Sequence, residues 1–249
     1  MRVIKRILVS LAAAAALWGS SLAAAGLGDL RIMTEQYPPY NFEQNGELRG
    51  IAVELLLAAA DAAGQPLRKS DIDVLPWARG YRTVQKKPET MLFSMTRTEE
   101  RDPLFKWVGP IADTRIALVA RKDANVEIGS EAEIADYRIA VVRDDIGEQL
   151  LREVGVGDSS LDISVDPESA MKKLKAGRVD LWAYEENVAK WLINQSGDDF
   201  ANYEAVHVLS ESQLYYAFHK DTPKSVIEGF RDALDSVPAD KVEAIKSHY

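Results

Sequence analysis

The sequence predicts an α/β protein with parallel-type sheets covered by helices, and three observations carry that reading. Short strand-like apolar runs alternate with helix-like segments along most of the chain, the spacing of parallel strands joined by crossover helices. The 249 residues are 47% hydrophobic, ample for a packed core. Fifteen glycines and ten prolines are too few for a low-complexity or collagenous chain.

The first segment stands apart from this pattern. Met1–Arg6 carries Arg2, Lys5 and Arg6 and no acid, Ile7–Trp18 is mostly apolar, and Ala23-Ala24-Ala25 precedes Gly26. A basic start, a short apolar centre and a small-residue end describe a secretory signal, residues 1–25, cleaved after Ala25. A permanent anchor is the alternative, but Ser10, Gly19, Ser20 and Ser21 interrupt the run, which is short for a spanning helix.

Leu30–Thr34 then reads as a strand, followed by turns at Tyr37–Phe42 and Asn45-Gly46. Ala52–Ala63 is an alanine- and leucine-rich helix closed by Gly64. Asp71–Leu75 is a strand, Ala78–Lys86 a helix and Met91–Met95 a strand. Beyond the proline- and glycine-containing Trp107–Pro110, Arg115–Arg121 alternates as a strand. Arg138–Val142 is a strand and Gly147–Val154 a helix. Asp166-Pro167-Glu168 opens a helix with an N-cap aspartate, proline at the first position and an acid in the first turn, and Gly177 stops it. Val179–Ala183 is a buried strand, Glu185–Asn194 a helix and Leu214–His219 a strand. Thr222–Ser236 and Ala239–His248 are the terminal helices.

Composition excludes several chemistries. With no cysteine there is no disulfide framework, thiolate metal site or cysteine nucleophile. His207, His219 and His248 lack any HxxxH or HxH spacing, so no metal site is expected. Loss of the three leading cations takes the formal charge from −9 to −12, which disfavours nucleic acid as a partner. No phosphate loop or nucleophile elbow is present, and no cofactor is expected.

Four pieces in order carry a family likeness. They are Tyr37-Pro38-Pro39-Tyr40-Asn41-Phe42 with Gly46 and Gly50–Leu55; Ser94–Arg101 with Phe105–Pro110; Tyr137–Val142 running into Asp144–Glu148; and Ala176–Trp182 with Glu185. Across residues 29–247 the chain resembles the family 3 extracellular solute-binding proteins, the polar amino-acid type that serve importers in the periplasm. The resemblance implies a two-lobed, periplasmic-binding-protein-like (type II) fold with a two-strand hinge that closes on ligand. Lobe 1 would be residues 26–113 plus 213–249, and lobe 2 residues 114–212. It further implies a small amino-acid-like ligand, a periplasmic location and an inner-membrane permease or receptor as partner.

The same resemblance suggests the site. Arg101 matches the family's carboxylate-binding arginine, and a guanidinium fork suits a carboxylate. The competing place for Arg101 is a solvated pair with Glu99 or Asp102. Ser94 and Thr96 match positions that give hydroxyl or backbone bonds, and Arg97 could face either the cleft or solvent. Tyr37 and Trp77 would clamp the ligand between rings, though either could be core; Tyr40 and Phe42 read as core. Arg79 is a possible further anion contact.

Two departures bear on the ligand. Glu185 stands where the family usually has an aspartate to pair with the ligand's ammonium, and it reaches one methylene further. Asp144-Asp145 stands where Gly, Ser or Thr residues would donate to the ligand carboxylate. Asp145 would cap the following helix, with Glu148 completing a capping box. Alternatively, Asp144, Asp145, Glu185 and Glu186 together select a ligand with extra positive charge. The leading function is ligand binding for import, without catalysis. A sensing protein docked to a membrane receptor is the alternative, and a cyclohexadienyl-dehydratase-like enzyme with Glu185 as acid a more distant one.

Overall fold

The structure, a computed structural model, describes residues 26–249; the expected signal segment, residues 1–25, lies outside them. The elements in chain order are β1 (Arg31–Thr34), β2 (Phe42–Gln44), β3 (Glu47–Arg49), α1 (Ile51–Ala62), β4 (Ile72–Val74), α2 (Trp77–Lys86), β5 (Thr90–Thr96) and β6 (Phe105–Arg121). There follow β7 (Ile139–Val142), α3 (Ile146–Glu153), β8 (Leu161–Ser164), α4 (Pro167–Lys175), β9 (Leu181–Glu185), α5 (Glu186–Gln195), β10 (Tyr203–His219), α6 (Lys224–Asp235) and α7 (Ala239–His248).

Eight strands form one sheet in the order β4-β1-β5-β10-β6-β9-β7-β8. The flanks are parallel as expected: β1 runs with β4 and β5, and β7 with β8 and β9. The centre is antiparallel, which the expectation of parallel-type sheets did not include. There β10 pairs with β6 along nearly its whole length, from Tyr203↔Arg121 to His219↔Phe105. The later half of β10 also pairs with β5, and the later half of β6 with β9. These two strands therefore belong to both flanks and form the only sheet connection between them among the described residues. Residues 113–114, opposite Gln213 and Ser212, lie where one pairing gives way to the other.

Both central strands are longer than the expected Arg115–Arg121 and Leu214–His219. In β6 the Gly109-Pro110 pair, which reads as a strand break, sits in an irregularity. Val108 pairs with Tyr216 and Ala112 with Leu214, so three residues oppose Tyr215 alone, the kind of place where proline fits a sheet. In β10 residues 204–213 are mostly half-buried or exposed, so no apolar run announces a strand. The β9 strand ends at Glu185, two residues beyond the expected Val179–Ala183, and β8 had not been expected. The Asn45-Gly46 turn joins β2 and β3 as a hairpin, with φ of 56° and 78°, both in the left-handed region that two-residue hairpins require.

Close packing places the loops. Gly50, at φ 122°, lies so close to Tyr40 that a Cβ would stand 2.4 Å from its carbonyl oxygen, which brings α1 against the Tyr37–Asn41 turn. A Cβ on Gly147 would meet the Ala183 carbonyl oxygen at 2.6 Å; glycine lets the first turn of α3 lie directly on β9. As expected, Asp166 caps α4, accepting from the Ser169 amide at 2.7 Å.

Candidate functional site

The carboxyl ends of the strands converge on one buried polar cluster, the place where α/β sheets usually present their sites. From the β1, β4 and β5 flank come Thr34, Glu35, Tyr37, Trp77, Ser94 and Thr96. From the β7 and β9 flank come Asp145, Tyr184 and Glu185. All are under 9% exposed. Arg101, in the turn after β5, completes the set.

Arg101 is 1% exposed, yet it makes no ion pair among the described residues. Its Nε donates to Gln149 Oε1 at 2.9 Å and its Nη1 to the Thr96 carbonyl at 3.3 Å. The guanidinium lies over the rings of Trp77 (5.4 Å) and Tyr81 (5.1 Å). Its Nη2 is buried without a partner. A buried donor left without a partner is costly, so this geometry holds Nη2 ready for an anion. The solvated alternative is excluded, because Asp102 pairs instead with Arg97 at 2.6 Å. Arg97 stands apart from the cluster, against the rings of Trp107 (5.8 Å) and Tyr215 (5.5 Å).

Ser94 carries a second signature. It sits at φ 61° in a bulge of β5, skipped between the Met95↔Tyr215 and Phe93↔Tyr216 pairs, and its Oγ is buried without a partner. A serine in the left-handed region stores strain that persists where the surroundings hold it.

Glu185 is fully buried. Its Oε2 accepts from the Val188 amide at 2.7 Å, capping α5, while Oε1 takes the Tyr40 hydroxyl and the Asn187 amide, each at 3.2 Å. Burial pushes its carboxyl up to about 7, against the pull of these hydrogen bonds. Tyr40, expected as core, is thus core by its ring and site by its hydroxyl. Phe42 is core, packed on Trp191 at 5.1 Å.

At Asp145 the expected capping box is not formed. The side chain makes no capping hydrogen bond, and Oδ2 is buried without a partner. Glu148 instead accepts from the Asp144 amide at 2.8 Å. The reciprocal half of the box has thus moved one residue upstream, to the Asp144 amide. Burial raises this carboxyl to about 6, with Arg101 and the Ile146 and Gly147 amides pulling it down.

The group of four acids divides in two. Asp144 pairs with Arg82 at 2.8 Å, and Glu186 with Arg115; both are surface ion pairs outside the cluster. Asp145 and Glu185 face inward. A third inward acid, Glu35, was missed; it is 5% exposed, and its pKa is raised first by burial, then by Asp145, with Arg101 lowering it. It directly precedes the Gln36-Tyr37-Pro38 turn, the only signal that could have singled it out. Tyr184 was missed as well. Its hydroxyl has no partner, and its ring stacks on Trp182 at 4.8 Å and meets Tyr37 edge-on at 5.7 Å.

Trp77 turns its indole N–H away to the Asp144 carbonyl, at 2.7 Å. With Arg82–Asp144, Arg101–Gln149 and Tyr40–Glu185, this bond ties the two flanks together over the cluster. Arg79 lies elsewhere, in a basic cavity on the outer face of α2. The cluster thus offers unpartnered donor, acceptor and hydroxyl groups, three acids and one arginine, closed off from solvent. That inventory fits a small zwitterion or cation.

A profile of the bacterial extracellular solute-binding proteins, family 3, matches residues 30–249. Solved structures with the same fold include a histidine kinase sensor domain with similarity to periplasmic binding proteins. It is 22% identical, with 89% of this chain and 96% of that one aligned and a TM-score of 0.77. An ancestral arginine-binding protein bound to arginine is 23% identical over 89% and 98%, with a TM-score of 0.74. The arginine-, lysine-, histidine-binding protein ArtJ from Geobacillus stearothermophilus is 17% identical over 88% and 94%, with a TM-score of 0.71. No curated protein sequence matches the chain.

Proposed function

The chain belongs to the bacterial extracellular solute-binding proteins of family 3 and has their two-lobed α/β fold, and from that premise we propose that it binds a cationic amino acid or a related amine-bearing solute in the periplasm. The first 25 residues supply the export signal. Residues 26–113 with 213–249, and residues 114–212, are the lobes, closing about the middle of β6 and β10 on the ligand. A membrane importer is the recipient.

The observation that carries this reading is the buried, unpaired Arg101 set among three inward acids. Arg101, with Ser94, takes the ligand carboxylate, and Thr96 holds Arg101 through its carbonyl. Asp145, Glu35 and Glu185 take the positive charges, while Tyr37, Tyr184 and the Trp77 side of the site line it. The ligand carboxylate pairs with Arg101 and its ammonium with one acid, and a further cation on the ligand pairs with a second acid. Two of the similar structures, described as arginine-binding proteins, support this ligand class.

Titration calorimetry of the protein from Gly26 onward with arginine, lysine, ornithine, glutamine and glutamate tests the assignment. Binding of the cationic members with little or no glutamate binding is expected. Glutamate as the tighter ligand, or silence across the panel, would overturn it.

The likeness to a histidine kinase sensor domain favours a second reading, in which the loaded protein reports to a signalling receptor. Co-purification with a membrane kinase rather than a permease would decide for it.

A further inference from the structure

The cavity that holds Arg79 has no place in the binding of the solute. It measures about 650 Å³ and runs along the outer face of α2. Arg31, Arg79, Arg82, Lys86, Lys87 and Arg143 line it, and no acid does. Arg82 and Arg31 answer to Asp144 and Asp73; the other four cations make no ion pair among the described residues. Pro76, Ala78 and Val165 add an apolar floor and rim, and Val165 is 65% exposed.

Nothing in the fold calls for this charge. Arg79, Arg82 and Lys86 lie three and four residues apart on one face of α2, where like charges repel. Arg79 sits in the first turn, where a helix favours acids. The described chain, residues 26–249, carries a formal charge of −12, so six cations converging on one cavity run against its composition.

We propose that this groove is a docking site for an acidic segment of a partner protein, its carboxylates received by Arg79, Lys86, Lys87 and Arg143 and an apolar side chain by Val165 and Pro76. The shape and the net charge both favour a protein segment over a lipid surface. A flat anionic membrane would meet the repulsion of the whole acidic molecule, whereas a narrow acidic segment reaches only the concave basic wall. The groove also straddles the two flanks: Arg143 and Val165 follow β7 and β8, and the other cations come from β1, α2 and Lys87 just after it.

Fluorescence anisotropy with a labelled, end-capped hexaglutamate peptide in low-salt buffer tests the proposal. Saturable binding is expected, weakening with added salt. The triple substitution Arg79→Ala, Lys87→Ala, Arg143→Ala should weaken it by about tenfold or more, because clustered charge pairs act together. A control triple, Lys224→Ala, Lys241→Ala, Lys246→Ala on α6 and α7, should leave it unchanged. Both triples should keep the wild-type response to arginine in calorimetry, which separates failure here from failure of the solute assignment. Absence of peptide binding, or equal loss in the control triple, overturns the proposal. So does binding only to vesicles of phosphatidylglycerol and phosphatidylcholine, or only to inorganic pyrophosphate.

Discussion

Arg101 and Ser94 mark the candidate site by polar groups that the fold alone leaves unsatisfied. Replacing Arg101 with alanine should cost about 1.5–3 kcal/mol of ligand binding, roughly a ten- to hundredfold rise in Kd by calorimetry. Ser94→Ala should separate stability from function. It removes a buried hydroxyl that has no partner, a group that costs about 1–3 kcal/mol to bury. The ligand-free protein should therefore melt higher in calorimetric scans while its affinity falls. At this scale the sequence was informative where side-chain chemistry is unambiguous. Arg101, Tyr37 and Glu185 could be singled out because each stands in a stretch that resembles a family motif. Glu35 and Tyr184 could not, since an acid after a strand and a tyrosine within one look the same on a surface as in a cleft. Arg79 misled for a similar reason: proximity to Trp77 in the chain says nothing about which face of α2 it occupies.

Elements place these residues, and small residues at their ends do much of the placing. Gly147→Ala would drive a methyl group into the Ala183 carbonyl. It should destabilise the protein by about 1–3 kcal/mol, as overpacked contacts do, and should weaken ligand binding by shifting Asp145. Asp166→Ala, which removes the α4 cap and the bond from the Ser169 hydroxyl, should cost about 1 kcal/mol in denaturant titrations and leave affinity unchanged. The α4 cap was readable because Asp-Pro-Glu admits few other conformations. The expected Asp145–Glu148 box had the right residue types, but Glu148 found the Asp144 amide, and a one-residue shift of that kind depends on what β9 and Arg101 do nearby. The long central strands were illegible for a different reason. Residues 204–213 of β10 pair with β6 alone and lie half-buried or exposed, so hydropathy alternation fades in the middle of the strand.

For the whole molecule, the buried acids link stability, pH and ligand. Glu185 goes from an ordinary 4.5 to about 7 and Asp145 from 3.8 to about 6 on folding. Groups raised in this way bind more protons when folded, so their stabilising effect is complete below the unfolded values and is lost as pH rises through about 6 and 7. The ligand-free protein should melt lower near pH 8 than near pH 5, by an amount on the order of 3 kcal/mol from Glu185 alone. A cationic ligand favours the ionised carboxyls, so its stabilising shift should be larger near pH 8. Glu185→Gln should weaken both dependences, leaving the part that Asp145 and Glu35 contribute, read by thermal scans at both pH values. The distribution of charge has a kinetic consequence of its own. An acidic body with six cations drawn together beside α2 carries an uneven charge, and the field of an acidic receiving surface would exert a torque that turns the α2 side forward before contact. Such steering raises the fraction of productive collisions and fades with ionic strength, so delivery would be set by how fast the protein arrives correctly oriented more than by how long it stays.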